Sequence, residues 1–174
     1  MSRSREIYHG HIVTLALHDV RLPDGSSATL ELVEHAEAAA VVALDEARQV
    51  LLVRQYRIGA DRVLYEIPAG VLEVGEAPDA CAVRELREEV GFRPGRLEPL
   101  GGFYPAPGYT TEFIHIFLAG DLIAAPLAKD EGEFIDVVRV PLLEALAMVD
   151  RQEIIDGKSI IGLLKSVRRL GLAL

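Results

Sequence analysis

Only one cysteine, Cys81, stands among the 174 residues. With no second thiol, an internal disulfide is excluded, a pattern that fits a reducing compartment. Positive charge is also short: 18 Lys and Arg face 27 Asp and Glu, for a formal net charge of −9. Such a field repels nucleic acid and anionic membranes, so neither is expected as a partner. An acidic protein that acts on phosphates needs metal ions as the go-between. Long hydrophobic runs are missing as well. Segments such as Ala38 to Leu44 are far too short to span a bilayer, and Met1 to Ile7 is polar with no apolar signal region. The expectation is a soluble, cytoplasmic protein. Repeats, low-complexity tracts and dividing linkers are absent too, and this length suits a single buried core.

What is present reads as strands first. Val13 to Leu17 and Ala28 to Val33 flank the turn signal Leu22-Pro23-Asp24-Gly25. Val41 to Leu44 and Val50 to Tyr56 form a second apolar pair, and Val63 to Ile67 leads into Pro68-Ala69-Gly70. A helix follows, with Pro78 in its first turn and Gly91 just past its end. Ala82, Leu86 and Val90, with Val83 beside them, make its core face. Leu100 to Tyr104, Phe113 to Leu118 and Phe134 to Val140 look like strands. Pro141 to Val149 and Ser159 to Leu170 look like helices. The sum is a layered α/β or α+β domain, a mixed sheet with helices packed on it.

The chemistry concentrates in the central helix. Glu85, Glu88 and Glu89 are spaced i, i+3 and i+4, so their carboxylates share one face. Like charges in one stripe weaken an isolated helix, and a solvated acidic face is the ordinary reading. Oxygen donors so grouped also suit hard Mg²⁺, with water and substrate phosphates completing its shell. The flanking residues decide between the two. Gly70, Glu76, Arg84, Glu85, Leu86, Glu88, Glu89, Gly91 and Phe92 reproduce the pattern G-x5-E-x7-R-E-U-x-E-E-x-G-U, U being a bulky apolar residue. A chance match in a chain this long is on the order of 10⁻⁷.

That pattern is the signature of the Nudix hydrolases, and the chain resembles them. The resemblance implies the Nudix fold, a mixed β-sheet sandwiched between helices, and hydrolysis of a nucleoside diphosphate linked to a further group. It implies that Glu85 and Glu89 ligate Mg²⁺, two or three ions with Mn²⁺ as a substitute, and that Glu88 is a further ligand or support. The backbone carbonyl of Ala69 commonly joins them. Arg84 and Glu76 are expected to pair and hold the loop on the helix. Gly70 and Gly91 serve backbone conformations that a side chain would hinder. Ala77 departs from the common capping Ser or Thr, which loosens the helix start without touching the chemistry.

Beyond the box, the chain resembles the ADP-ribose pyrophosphatase branch over nearly its whole length. Val20 to Gly25 and Glu31 to His35 are similar to the branch's N-terminal antiparallel β extension, which implies an intertwined homodimer. The division expected is 1–38 for this extension and 39–174 for the hydrolase domain. His35 is read as structural at a strand end rather than as a ligand. Val53 to Arg57 and Tyr65 to Gly70 match the branch, and Arg57 is the phosphate contact a guanidinium's paired donors suit. Arg54 and Glu66 belong either to the nucleotide site or to surface ion pairs, and Tyr56 is either core or an adenine-stacking ring.

Phe103 to Glu112 follows the box, with Pro107 sixteen residues after Gly91, the place where a proline marks the ADP-ribose group. Gly108 and the turn after it, with Glu112, would shape the ribose pocket. Ala106 and Thr111 stand where Ser and Asp are usual, which leaves the sugar open. In the later acidic loop, Lys129 to Glu133, Glu131 leads as catalytic base and Glu133 as a further metal ligand, with Glu88 the competing base. The expected reaction is Mg²⁺-dependent cleavage of ADP-ribose to AMP and ribose 5-phosphate. Another nucleotide sugar, for instance GDP-mannose, is the alternative substrate. A non-catalytic ADP-ribose sensor is disfavoured by the intact box.

Overall fold

The computed structural model describes residues 4–128 and 135–172. Three strands open the chain: β1 (Ser4–His9), β2 (Thr14–Arg21) and β3 (Ser27–Glu34), an antiparallel sheet in that order. The β2–β3 turn closes as its residues dictate. Gly25 takes φ 85°, and Asp24 Oδ1 accepts from the amide and hydroxyl of Ser26 at 2.9 and 2.6 Å. β1 was not expected from the sequence, because its six residues all face solvent and carry no buried alternation.

The body holds two further sheets. β4 (Ala38–Ala43), β7 (Ala69–Val71), β8 (Phe92–Phe103) and β9 (Ile114–Ala124) order as β7-β4-β9-β8. β5 (Gln49–Arg57), β6 (Arg62–Glu66) and β10 (Asp136–Pro141) order as β10-β5-β6. The helices are α1 (Pro78–Glu89), α2 (Leu142–Asp150) and α3 (Gly157–Arg169). Among these ten strands, β4 and β9 pair in parallel and the other pairs are antiparallel. The apolar pair read from the sequence, β4 and β5, therefore divides between two sheets, joined by the single Leu44–Val50 bridge.

β4 explains the layering. All six of its residues are buried, which a strand covered on both faces requires. Ala38, Ala40 and Val42 join one core with Leu163 and Val167 of α3 and Ala145 of α2. Ala39, Val41 and Ala43 join the other with Cys81, Ala82 and Leu86 of α1. Period-two alternation thus sends alternate side chains to opposite cores. Small residues let both helices approach. The mixed sheet between helices, with an antiparallel extension, is the expected fold.

The rest of the expected helices and strands hold with shifted ends. β8 is much longer than Leu100 to Tyr104, and α3 begins at Gly157 rather than Ser159. Phe134, the first residue of the expected strand, lies outside the described residues. Sheet membership changes between Glu34 and Ala38. No helix among the described residues is long and apolar enough to cross a membrane.

Candidate active site

The rows Val71–Ala38–Ile114–Phe103 run across one end of the four-stranded sheet. At that end β7 leads into the loop before α1, and β8 leads into the 104–113 loop. The antiparallel start of β7 and the parallel β4–β9 pair thus bring the box and the Pro107 segment to one edge.

α1 starts at Pro78 without any side-chain cap from Ala77, as that alanine implied. Glu85 and Glu89 turn inward, 9% and 3% exposed. Two buried like charges one turn apart are costly unless compensated. Ala69 N–H donates to Glu89 Oε2 at 3.0 Å. Arg84 Nη1 donates to Glu85 Oε1 at 2.5 Å and to Glu88 Oε2 at 3.0 Å. Its other edge grips Glu76, Nε to Oε1 and Nη2 to Oε2, each at 2.9 Å, and reaches Val71 O at 3.0 Å. Arg84 thereby ties three carboxylates and pins the 72–77 loop to the helix. The Glu76 bond is the main reason its guanidinium holds its proton more tightly than usual, and burial opposes it. The same bond holds the Glu76 carboxyl below its ordinary range.

Glu76, Glu85 and Glu88 converge on this guanidinium, and among the described residues no three His, Cys, Asp or Glu side chains form a ready-made cluster. Yet Arg84 is shared among three carboxylates, and a fourth, Glu89, accepts Ala69 N–H on the same helix. That excess negative charge on hard oxygen donors, partly buried, fits a divalent cation. Cys81 is a bystander. Burial pushes its thiol up to about 12, so it packs as a small apolar residue.

Gly70 is explained by close approach. Its φ is not positive, but a Cβ there would fall inside the Glu85 carboxylate. Gly70→Ala should therefore lower the melting temperature on the order of 5 °C, from about 1–3 kcal/mol of overpacking. Turnover should fall about tenfold as Glu85 is displaced. Calorimetry and steady-state rates check this, and a variant with both values unchanged would refute the close-approach account. Gly91, at φ 80° just past α1, is the conformational case: its carbonyl takes Ala125 N–H at 2.9 Å.

A second charged group lies beside the first. Arg57, ending β5, donates Nε and Nη2 to Glu66 Oε1 and Oε2 at 2.8 and 2.7 Å. Glu66, 1% exposed, also accepts Lys158 Nζ at 2.5 Å. The Glu66 bonds chiefly raise the hold of Arg57 on its proton. Burial lowers it, and the charges of Glu66, Glu89 and Asp156 add to the rise. Burial pushes Glu66 upward most, but the Arg57 hydrogen bonds and Lys158 outweigh it, and its carboxyl ends below the ordinary 4.5. A carboxyl depressed in the folded state stabilises above its ordinary value and loses that stabilisation as pH falls through the folded one. Glu66→Gln should melt on the order of 10 °C lower at pH 7, since Arg57 loses its carboxylate and Lys158 keeps only Asp156. The gap should close as pH drops below 4.5. A gap constant with pH would contradict the ion-pair assignment.

The model of the NUDIX domain matches residues 34–160. The chain belongs to the Nudix family. An ADP-ribose pyrophosphatase of Bacillus subtilis (strain 168) is 38% identical over 156 residues, 88% of this chain and 84% of that protein. A methanol dehydrogenase activator of Bacillus methanolicus is also 38% identical, over 91% of this chain and 87% of its own. A crystal structure of an ADP compounds hydrolase superposes with a TM-score of 0.86, covering 97% of this chain and 92% of that one at 24% identity. That likeness establishes the fold. Nudix hydrolases generally use divalent metal ions.

The structure sorts the remaining candidates. Arg54 and Tyr56 lie on the face of β5 opposite Arg57. Arg54 sits 3.9 Å from Asp136 and over the Tyr65 ring, and Tyr56, 55% exposed, donates to Asp61 at 2.8 Å. Tyr56 is thus not core, and Arg54 makes an exposed ion pair, while Glu66 makes a buried one with Arg57. Pro107 and Gly108 sit in a turn where Tyr109 and Thr110 amides reach Ala106 O at 3.1 Å. Val33 N–H donates to Tyr109 O at 2.8 Å and Thr111 N–H to Val33 O at 3.1 Å, so the segment is stitched to β3. Glu112 N–H bonds Thr110 Oγ1 at 3.2 Å. The backbone N–H and carbonyl of His35 exchange bonds with Thr111 Oγ1 just past the end of β3. Glu131 and Glu133 lie outside the described residues.

Sequence reading missed Asp156, Lys158 and Ser159. The signal was legible: Asp156 three residues before a serine, at the start of a periodic apolar run, is a helix N-cap pattern.

Proposed function

We propose that this Nudix hydrolase cleaves the diphosphate of ADP-ribose, yielding AMP and ribose 5-phosphate. The observation that carries the reading is the buried Glu85–Glu89 pair, tied by Ala69 and Arg84, with the Arg57 guanidinium within the field of Glu89. The 38% identity to an ADP-ribose pyrophosphatase over most of the chain supports the substrate.

In this reading Arg57 binds a diphosphate oxygen with the donors Glu66 leaves it, and Arg84 keeps Glu85 and Glu88 oriented. Pro107, Gly108 and Glu112 receive the terminal ribose. Mg²⁺, two or three ions with Mn²⁺ as substitute, held by Glu85, Glu89, Glu88, Glu133 and the Ala69 carbonyl, supplies charge neutralisation at the phosphoryl oxygens. Glu131 takes one proton from the attacking water. The water oxygen bonds to one phosphorus, and the bridging P–O bond breaks with its electron pair on the departing phosphate. Glu131 returns the proton to solvent. Arg54 fits a surface ion pair better than a nucleotide contact.

The protein works as a cytoplasmic homodimer built on β1–β3, the extension of residues 1–38 on a hydrolase domain of 39–174. What supports this is exposed apolar surface on and beside that sheet: Ile7 51%, Tyr8 59%, Ile12 68% and Leu30 49% exposed.

Product analysis tests the substrate. The protein is incubated with Mg²⁺ and, separately, ADP-ribose, GDP-mannose, ADP-glucose, diadenosine polyphosphates and 8-oxo-dGTP. AMP and ribose 5-phosphate forming fastest from ADP-ribose, only with metal, is the expected result. Faster turnover of GDP-mannose would keep the chemistry and replace the sugar, and no turnover of any would return a sensor role.

A further inference from the structure

The N-terminal end of α3 is tied to the site by three side chains. Asp156 Oδ2 accepts from Lys158 Nζ at 3.0 Å, Ser159 N–H at 3.0 Å and Ser159 Oγ at 2.5 Å. Lys158, its side chain 12% exposed, divides its ammonium between Asp156 and Glu66. Ser159 is fully buried, and its hydroxyl oxygen accepts Ile67 N–H at 2.8 Å. The helix seats close. A Cβ on Gly162 would stand 2.9 Å from Ile67 Cδ1 and from Val42 Cγ2, so α3 touches the strand ends it holds.

We infer that Asp156, Lys158 and Ser159 are positioning residues that act through two groups of the site, the Arg57 guanidinium and the Ile67–Ala69 backbone. This rests on the reading that Arg57 meets a diphosphate.

The reason for Lys158 is electrostatic. A guanidinium locked bidentately onto a buried carboxylate has its charge matched, and offers a phosphate little net attraction. Lys158 shares Glu66, so Arg57 and Lys158 together balance Glu66 and Asp156; without the ammonium the group would carry one net negative charge beside the free Nη1 edge of Arg57. Asp156 is in turn satisfied by the Ser159 hydroxyl and amide at the helix start. The reason for Ser159 is geometric. Ile67 N–H is fixed by its hydroxyl, Pro68 restricts the next φ, and Ala69 N–H then meets Glu89. A loosened Ile67 would carry its motion to the carboxylate pair.

The test uses the full chain with Lys158→Met, Lys158→Arg and Ser159→Ala, each checked by thermal melting. For Lys158→Met the KM for ADP-ribose should rise about tenfold while kcat stays within about threefold, the split expected when ground-state attraction is lost. Lys158→Arg should bring KM back to within about threefold of the wild type. For Ser159→Ala, kcat should fall about tenfold with KM little changed, and the Ile67 amide should exchange hydrogen about tenfold faster. An unaltered KM in Lys158→Met overturns the inference for Lys158. So does a parallel fall of both constants that follows melting and is not relieved by Lys158→Arg. Wild-type preference for another nucleoside diphosphate discards the substrate alone, and the same comparison on that compound decides. Wild-type protein inactive on every diphosphate discards the function, and Ile67 exchange in Ser159→Ala then decides. Faster exchange supports the clamp and unchanged exchange overturns it.

Discussion

Glu89→Gln should lose more than a hundredfold in turnover of ADP-ribose while its melting temperature in metal-free buffer stays level or rises. The two halves of this result have one cause. Glu89 is nearly fully buried on the same helical face as Glu85, one turn away, and burying like charges together costs folding energy. Glutamine keeps the shape and one oxygen to accept Ala69 N–H. What it removes is the negative charge and one oxygen donor, the two properties that suit this position to a divalent cation. Stability sacrificed at a functional site is recovered when that function is deleted. Steady-state rates across a Mg²⁺ titration, with calorimetry on the same preparations, measure both halves. Near-normal turnover would remove Glu89 from the metal site. A matching collapse of turnover and melting temperature would make it a structural residue instead.

The box was legible because its residues do different physical work at fixed spacings. Gly70 clears space for Glu85, Arg84 pairs with Glu76 across the loop, and Gly91 turns the chain out of α1. Each demands one residue type at one position, so the pattern survives reading as letters. The covering of β4 was less legible. Its alanines and valines announce burial, but not that alternate side chains enter two cores or that its parallel neighbour lies more than seventy residues ahead at β9. Strand pairing at that distance leaves no local mark. The α3 clamp escaped for a related reason. An N-cap aspartate is visible in sequence, but nothing local shows that Lys158 and Ser159 reach Glu66 and Ile67 ninety-two positions away. Arg54 and Arg57 show how the strand's alternation separates neighbours in sequence. Both are arginines of one short strand, yet an odd spacing puts them on opposite faces, and only Arg57 reaches the buried Glu66.

The base assignment makes the other large prediction. Glu131→Gln should also lose more than a hundredfold in kcat, within the range a positioned general base contributes, while its Mg²⁺ requirement stays that of the wild type. Glu88→Gln should lose less, about tenfold. Glu88 is not idle: one of its oxygens already accepts from Arg84 at 3.0 Å, one turn away on the same helix. Protonation on its other oxygen would weaken that ion pair and leave Arg84 shared chiefly between Glu76 and Glu85, so its natural work is to hold the guanidinium. Glu131 belongs to the acidic 129–133 segment, well beyond the box in the sequence. The pH profile separates the roles further. In the wild type kcat should fall on the acid side as the base is protonated, and in Glu131→Gln that limb should flatten, because the group that titrates is gone. Glu88→Gln should keep the limb. If Glu131→Gln turns over normally with its acid limb intact, while Glu88→Gln loses both rate and limb, the base is Glu88, acting through the oxygen that Arg84 does not hold.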